Sequence, residues 1–235
     1  MEPAELRRSV VVDMGSNSFR LVAYSYLPER WWRRSDEIYD TVRIGAGLVA
    51  SGELAEDRME AAIEALEVYA HFCAASHIPP SDVQAVATSA VRDAANGGEL
   101  VERARAATGF GVRVLSSDEE AWFGYLAALN STSLRDGAVL DLGGGSLQLV
   151  QVRDRRAVAS ASWPLGTVRM TERFLGAGAS AKRRGALRSF ALGELSRVEW
   201  VPGVGGPLVG IGGTVRNLAV AAAVAAGKPS IGVQG

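Results

Sequence analysis

Two short stretches carry an acidic residue, a glycine and a hydroxyl in the same order. "DMGSNSFRLV" at 13–22 and "DLGGGSLQLV" at 141–150 align Asp13 with Asp141, Gly15 with Gly143, Ser18 with Ser146, and Leu21-Val22 with Leu149-Val150. Each follows an apolar run, so each reads as a strand ending in a tight turn. Such a turn presents consecutive backbone N–H groups that the sheet does not use, and a concave set of these binds phosphate oxygens. Ser16, Asn17 and Ser18 add side-chain donors in the first turn, and Gly143, Gly144, Gly145 and Ser146 form the second. Asp13 and Asp141 stand where each strand enters its turn. A carboxylate beside bound phosphate needs a cation between them, and Mg2+ is the candidate. A third glycine turn, "GIGGT" at 210–214, opens the last helix and offers Gly212, Gly213 and Thr214 to a further phosphate or a ribose.

The surrounding pattern predicts the elements that would hold these turns. "SVVVDMG" is an apolar run suited to a buried strand, "FRLVAYSYL" alternates as its partner, and a third strand is expected near "EIYDTVRIG". A helix over 54–76 places Met59, Ile63, Leu66, Ala70 and Cys73 on one stripe. A buried strand follows at 83–87, and "GVRVLSSDEEAWFGYLAALN" gives a strand and then a helix capped by Ser116 or Ser117, with Trp122, Tyr125 and Leu129 marking its packed side. "GAVLDLGGGSLQLVQVRDRRAVASASWPL" gives three strands; helices follow near 168–175 and 182–196, then the strand "LVGIGG" and an apolar helix. Trp31 and Trp32 are expected at an exposed hairpin tip packed on its neighbour. Both halves begin with the acidic-glycine turn and continue through helices and strands, which is an internal repeat. The expected fold is therefore α/β, two similar lobes whose turns face a cleft. The polar stretch "NSTSLRDG" is expected to be the linker, dividing the chain into 1–130 and 131–235.

Composition narrows the function classes. The chain has 235 residues, 48% hydrophobic and 22% charged, enough to bury a substantial core, and a formal net charge of -1. That balance lacks the long-range attraction of a basic protein for nucleic acid or anionic lipid, so neither partner is expected and any anion must be caught locally. Cys73 is the single cysteine, which excludes an intramolecular disulfide and four-cysteine zinc sites. The first residues lack a signal-peptide pattern and no apolar run is long enough for a membrane span, so a cytoplasmic protein is expected. His71 and His77 have no partners at metal spacing.

Taken in order, "VVDMGSNSFRLV", "VRIGAGL", "AVATSAVRDAANG", "VLSSDEEA", "VLDLGGGSLQLV", "WPLGTVRMTERFL" and "GIGGTVRNLA" resemble the exopolyphosphatase and guanosine pentaphosphate phosphohydrolase (Ppx/GppA) family, within the actin-like and sugar-kinase superfamily. The resemblance runs from Val10 to Ala219. It implies two actin-like, ribonuclease H-like lobes and an enzyme that removes the terminal phosphate of inorganic polyphosphate, or the 5' phosphate of guanosine pentaphosphate, with Mg2+. It further implies Glu120 as the catalytic base that polarises water and Arg92 as a phosphate-binding residue. Asp13 and Asp141 would serve the metal. Relatives ordinarily carry glutamate where this chain has Gln148, which supplies no negative charge to a metal. Relatives also continue beyond "KPSIGVQG", so the resemblance implies a second lobe incomplete at its C-terminus. The departures keep open a non-catalytic sensor of polyphosphate or the nucleotide and, within the superfamily, a kinase. Oligomeric state is open, a homodimer being one option.

Overall fold

Along the first apolar strand Val10, Val12 and Met14 point into the core, while Val11 and Asp13 alternate to the other face, as the two-residue period of a strand requires. The computed structural model describes residues 5–176 and 178–228. The final "PSIGVQG", part of the stretch on which the expectation of an incomplete end rests, lies outside the described residues. The chain divides into two units, Met1–Leu115 and Ser116–Gly235.

In the first unit β1 (Arg7–Met14), β2 (Phe19–Leu27) and β3 (Trp31–Asp40) form an antiparallel meander, and β4 (Val83–Ala87) and β5 (Val112–Val114) add parallel strands in the order β3-β2-β1-β4-β5. Between β3 and β4 run α1 (Leu48–Ser51) and α2 (Glu56–Ala75); between β4 and β5 run α3 (Ser89–Asp93) and α4 (Gly97–Thr108). The second unit opens with α5 (Ser117–Ser131). Its β6 (Gly137–Leu142), β7 (Leu147–Arg153), β8 (Arg156–Trp163) and β9 (Leu208–Ile211) follow in the order β8-β7-β6-β9, with the same strand senses as β3-β2-β1-β4. Helix α6 (Thr167–Met170) runs into a π-helical turn over Thr171–Leu175; α7 (Ala181–Ser196) and α8 (Gly213–Ala225) complete the described elements. The repeat inferred from the two turns is thus a repeat of whole sheets. Among the described residues no helix is long and apolar enough to cross a membrane.

Helix α2 covers the first sheet with Met59, Ala62, Leu66, Tyr69 and Cys73, all buried, while Ile63 and Ala70 are only partly so. Spacings of three and four fit either set; the one observed inserts the large Tyr69 ring, fully buried, beside Phe19 and Leu21 of the same core.

Three expectations are corrected. The boundary lies at 115/116 rather than 130/131, because α5 packs on the second sheet: Ala121, Tyr125 and Ala128 share a core with Val139, Val150 and Val152. The polar stretch after α5 is no free linker. Arg155, in the β7–β8 turn, donates to the carbonyls of Leu129, Thr132 and Leu134, and Tyr125 Oη donates to Arg155 O at 2.8 Å. Trp31 and Trp32 open β3 directly after the turn at residues 28–30, exposed at the hairpin end and packed on neighbours as expected. Trp32 meets Tyr24 edge to face across the strands at 5.7 Å, and Arg33 lies over Trp31. Trp122 is half exposed on α5 and leans on buried Tyr125 instead of facing the core.

Candidate functional site in two glycine hairpins

Both hairpins enclose four residues. The ladders close at Met14↔Phe19 and Leu142↔Leu147, and the Gly15 N–H donates to Ser18 O while the Gly143 N–H donates to Ser146 O, each at 3.1 Å. The segment after each third strand then clamps its hairpin in the same way. Arg43 and Gly45 N–H groups donate to the carbonyls of Asn17 (2.8 Å) and Ser16 (2.9 Å). In the second unit the Gly166 and Val168 N–H groups donate to the aligned carbonyls of Gly145 (3.3 Å) and Gly144 (2.9 Å). The repeat therefore includes "VRIG" and "LGTV", stretches too unlike in side chains to be matched by eye.

The clamp determines where the amides point. Across a trans peptide the N–H is directed opposite to the preceding C=O. Thr167 donates to the Gly143 carbonyl through both N and Oγ1, and Arg169 Nε donates to the Gly145 carbonyl at 3.0 Å. With the carbonyls of Gly143, Gly144 and Gly145 all turned to residues 166–169, the N–H groups of Gly144, Gly145 and Ser146 face the other side together. Consecutive N–H groups turned to one side have the form of an anion nest. In the first unit the same reasoning turns the Asn17 and Ser18 N–H groups away from the clamp. Gly166 is obligatory there: a Cβ would lie 2.2 Å from Gly145 C and 2.4 Å from Gly144 O.

Among the sequence-derived site residues, the second unit gathers Glu120, Asp141, Gly143, Gly144, Gly145, Ser146, Gln148, Gly212, Gly213 and Thr214; the first holds Asp13, Ser16, Asn17, Ser18 and Arg92. Asp141 is the hub of the second set. A Cβ on Gly124 of α5 would stand 3.4 Å from Asp141 Oδ2, and one on Gly212, which has φ +89°, would stand 3.0 Å from Asp141 Oδ1. Bare glycine on two sides lets helix and turn approach the carboxylate. Burial pushes the Asp141 carboxyl above its ordinary range, and no donor among the described residues offsets that. A desolvated carboxylate framed this way fits a cation held by one carboxylate together with water and phosphate, the usual mode of Mg2+. No cluster of three His, Cys, Asp or Glu side chains suited to a metal exists among the described residues.

Glu119 and Glu120 separate into different roles. Ser116 Oγ accepts from the Glu119 N–H at 3.2 Å and Glu119 Oε2 accepts from the Ser116 N–H at 2.9 Å, a capping box that fixes the start of α5. Glu120, next in the chain, lies one turn before Gly124 and hence on the helix face that meets Asp141. Gln148 is the cross-strand partner of Asp141, and in the first unit that position, opposite Asp13, is occupied by Arg20, which pairs with Glu37.

In the first unit Ser16 Oγ and Ser89 Oγ share a buried hydrogen bond of 2.9 Å, tying the hairpin to the start of α3. Arg92, three residues on, donates from Nη1 to Leu115 O at 2.8 Å and lies 3.6 Å from the Asp93 carboxylate through Nε. The guanidinium is thus held in a fixed orientation. In the core of the same unit, the Tyr69 phenol is raised far above its ordinary range by burial and then by Asp40. Sequence reasoning gave no role to Gly166, Thr167 or Arg169. The signal available was the second set of clamp residues in the motif "WPLGTVRMTERFL".

The paired-sheet α/β architecture, with a glycine hairpin leading each sheet, is that of actin-like ATPase-fold proteins. A pilus-biogenesis complex of PilM and PilN shares this fold at 15% identity and a TM-score of 0.53, over 96% of this chain and 87% of that one. The sequence profile of the Ppx/GppA phosphatase family matches residues 36–232, and the chain belongs to that family. It is similar to the Ppx/GppA enzyme of Aquifex aeolicus (30% identity, TM-score 0.72, covering 92% of this chain and 71% of that one). It is also similar to an exopolyphosphatase-like protein (26% identity, TM-score 0.84, 95% and 70%). An exopolyphosphatase of Cytophaga hutchinsonii has the same fold (21% identity, TM-score 0.86, 97% and 73%).

Proposed function

We propose that this protein is a phosphohydrolase that releases the terminal phosphate of inorganic polyphosphate or the 5' phosphate of guanosine pentaphosphate by water attack assisted by Mg2+. The observation that carries the reading is the clamp on the second hairpin, which turns three consecutive N–H groups to one side, in the turn that follows the strand bearing Asp141. Family membership supplies the reaction class.

In this mechanism the nest N–H groups and the Ser146 hydroxyl hold phosphoryl oxygens, and Arg92, in the first unit, is a phosphate-binding residue whose permanently charged fork needs no reorganisation. Glu120 orients a water molecule and takes up its proton as the water oxygen bonds to phosphorus and the anhydride P–O bond breaks. Bound at Asp141, Mg2+ would neutralise phosphate charge. The electrons of the broken bond leave on the shortened chain or nucleotide as phosphate oxygen charge, so no covalent enzyme intermediate is required.

The test is phosphate release from polyphosphate and from guanosine pentaphosphate, with and without Mg2+. Glu120→Gln should abolish release, and Gln148→Glu should raise it at saturating Mg2+. Unchanged release in Glu120→Gln removes the assigned base. Binding of either substrate with no release under any condition replaces the enzyme by the sensor, which the missing carboxylate at Gln148 favours.

A further inference from the structure

Gln148 is buried, at 4% exposure, and its Nε2 donates to Ser146 Oγ at 2.9 Å and to Ser162 Oγ at 3.3 Å. Asp141, Gln148 and Ser162 are direct partners across β6, β7 and β8, so their side chains share one face of the sheet. A hydroxyl has one proton to give and two lone pairs to receive. With a lone pair of each serine already taken by the amide, both serine protons must be given to another acceptor. None is present among the described residues for either hydroxyl. Ser146 is itself buried at 6% exposure, where an unused donor is costly. Its N–H belongs to the anion nest as well.

A glutamate in this place would reverse the polarity. A carboxylate only accepts, so it would draw both hydroxyl protons inward and add a second negative charge to that of Asp141, its cross-strand partner, and the pair would then require a cation for phosphate to be held. The amide does the opposite. Resting on the phosphate-chain reading above, we infer that Gln148 makes the second hairpin a metal-independent phosphate site, in which the Ser146 and Ser162 hydroxyls both donate to phosphoryl oxygens.

The experiment is calorimetric titration of the whole chain with tripolyphosphate, in EDTA and in Mg2+. The native protein should bind in EDTA nearly as tightly as in Mg2+. Gln148→Glu should weaken binding in EDTA by about tenfold or more, the loss expected when donors to a charged group become acceptors, and should recover when Mg2+ is added. Ser162→Ala should weaken binding by about tenfold in both conditions through loss of one charge-assisted donor, and it decides the matter if circular dichroism shows that Gln148→Glu does not fold. Native binding that appears only with Mg2+, Gln148→Glu binding as tightly as native in EDTA, or native affinity in Ser162→Ala overturns the inference. Metal-independent binding without phosphate release from any substrate would leave the site standing and remove the hydrolase.

Discussion

Gly124 on α5 stands directly against the Asp141 carboxylate, with room for a Cβ only at 3.4 Å from Oδ2 and 3.2 Å from Ile211 Cδ1. Gly124→Ala sets two effects against each other. Alanine favours the helix by about 1 kcal/mol, while the new methyl presses on the flexible end of Ile211 and on the carboxylate. Stability in EDTA should therefore change by less than about 1 kcal/mol. The methyl nevertheless takes up space beside the only carboxylate framed by both glycines, so the rise in melting temperature on adding Mg2+ should be lost. Calorimetry with and without the ion checks both halves, and an undiminished Mg2+ response would place the cation elsewhere.

Asp141 also gives a pH dependence with a definite sign. Its carboxyl is raised by burial, so between its ordinary and its folded pKa the folded state binds the proton more tightly than the unfolded chain. Stability then falls as pH rises through that window, and the ionised group remains a cost above it. In EDTA near neutral pH, Asp141→Asn should melt higher, by about 1 kcal/mol or roughly 2–4 °C for a chain of this size. The difference should shrink on acidification below the ordinary carboxylate range, where both states of the native protein hold the proton. A native protein more stable than the variant at neutral pH in EDTA contradicts the burial argument.

The adjacent acids of α5 should respond in opposite ways. Glu119 is engaged in the capping box, so Glu119→Ala should cost about 0.5–1 kcal/mol of stability and leave turnover per folded molecule unchanged. Glu120→Gln should lower turnover per folded molecule by roughly a hundredfold or more, the contribution of a positioned base. Thermal melts and phosphate release on the same two samples separate them; a turnover loss confined to Glu119→Ala would exchange the roles.

Why some of this was legible in sequence and some was not follows from range. The hairpins were legible because strand alternation, the Asp-to-Ser spacing and the close of each turn are local, and two copies at 13–22 and 141–150 reinforce each other. The cap of α5 was legible for the same reason, as Ser116 or Ser117, but the reciprocal bond with Glu119 that completes the capping box was not. The clamps were not, since Gly45 and Val168 act through backbone N–H groups that any residue possesses, across 29 and 24 positions from their acceptors Ser16 and Gly144. The unit boundary was misplaced because a polar stretch looks the same whether it is solvated or held by Arg155. Trp31 and Trp32 were legible as an exposed hairpin end because tryptophan beside arginine suits the edge of a turn; that the neighbour is Tyr24, across the strands, was not.

Glycine substitutions in the second unit give the sharpest structural test of the clamp. A Cβ at Gly166 would meet backbone on every near side, at 2.2 Å from Gly145 C and 2.4 Å from both Gly144 C and Gly144 O. Backbone has no flexible end to swing away, so the hairpin or the 166–169 segment must move as a whole. Gly166→Ala should cost about 3 kcal/mol, the upper end for overpacking, and should scatter the three N–H groups of the nest. Gly185, within α7, has nothing within 4 Å of a built Cβ, and Gly185→Ala should instead stabilise by about 0.5–1 kcal/mol through helix propensity. Denaturant unfolding of the pair, with tripolyphosphate titrated into each folded variant, reads both effects. If Gly166→Ala folds with native stability and native affinity, the carbonyls of Gly144 and Gly145 are not held as described, and the alignment of their amides loses its cause.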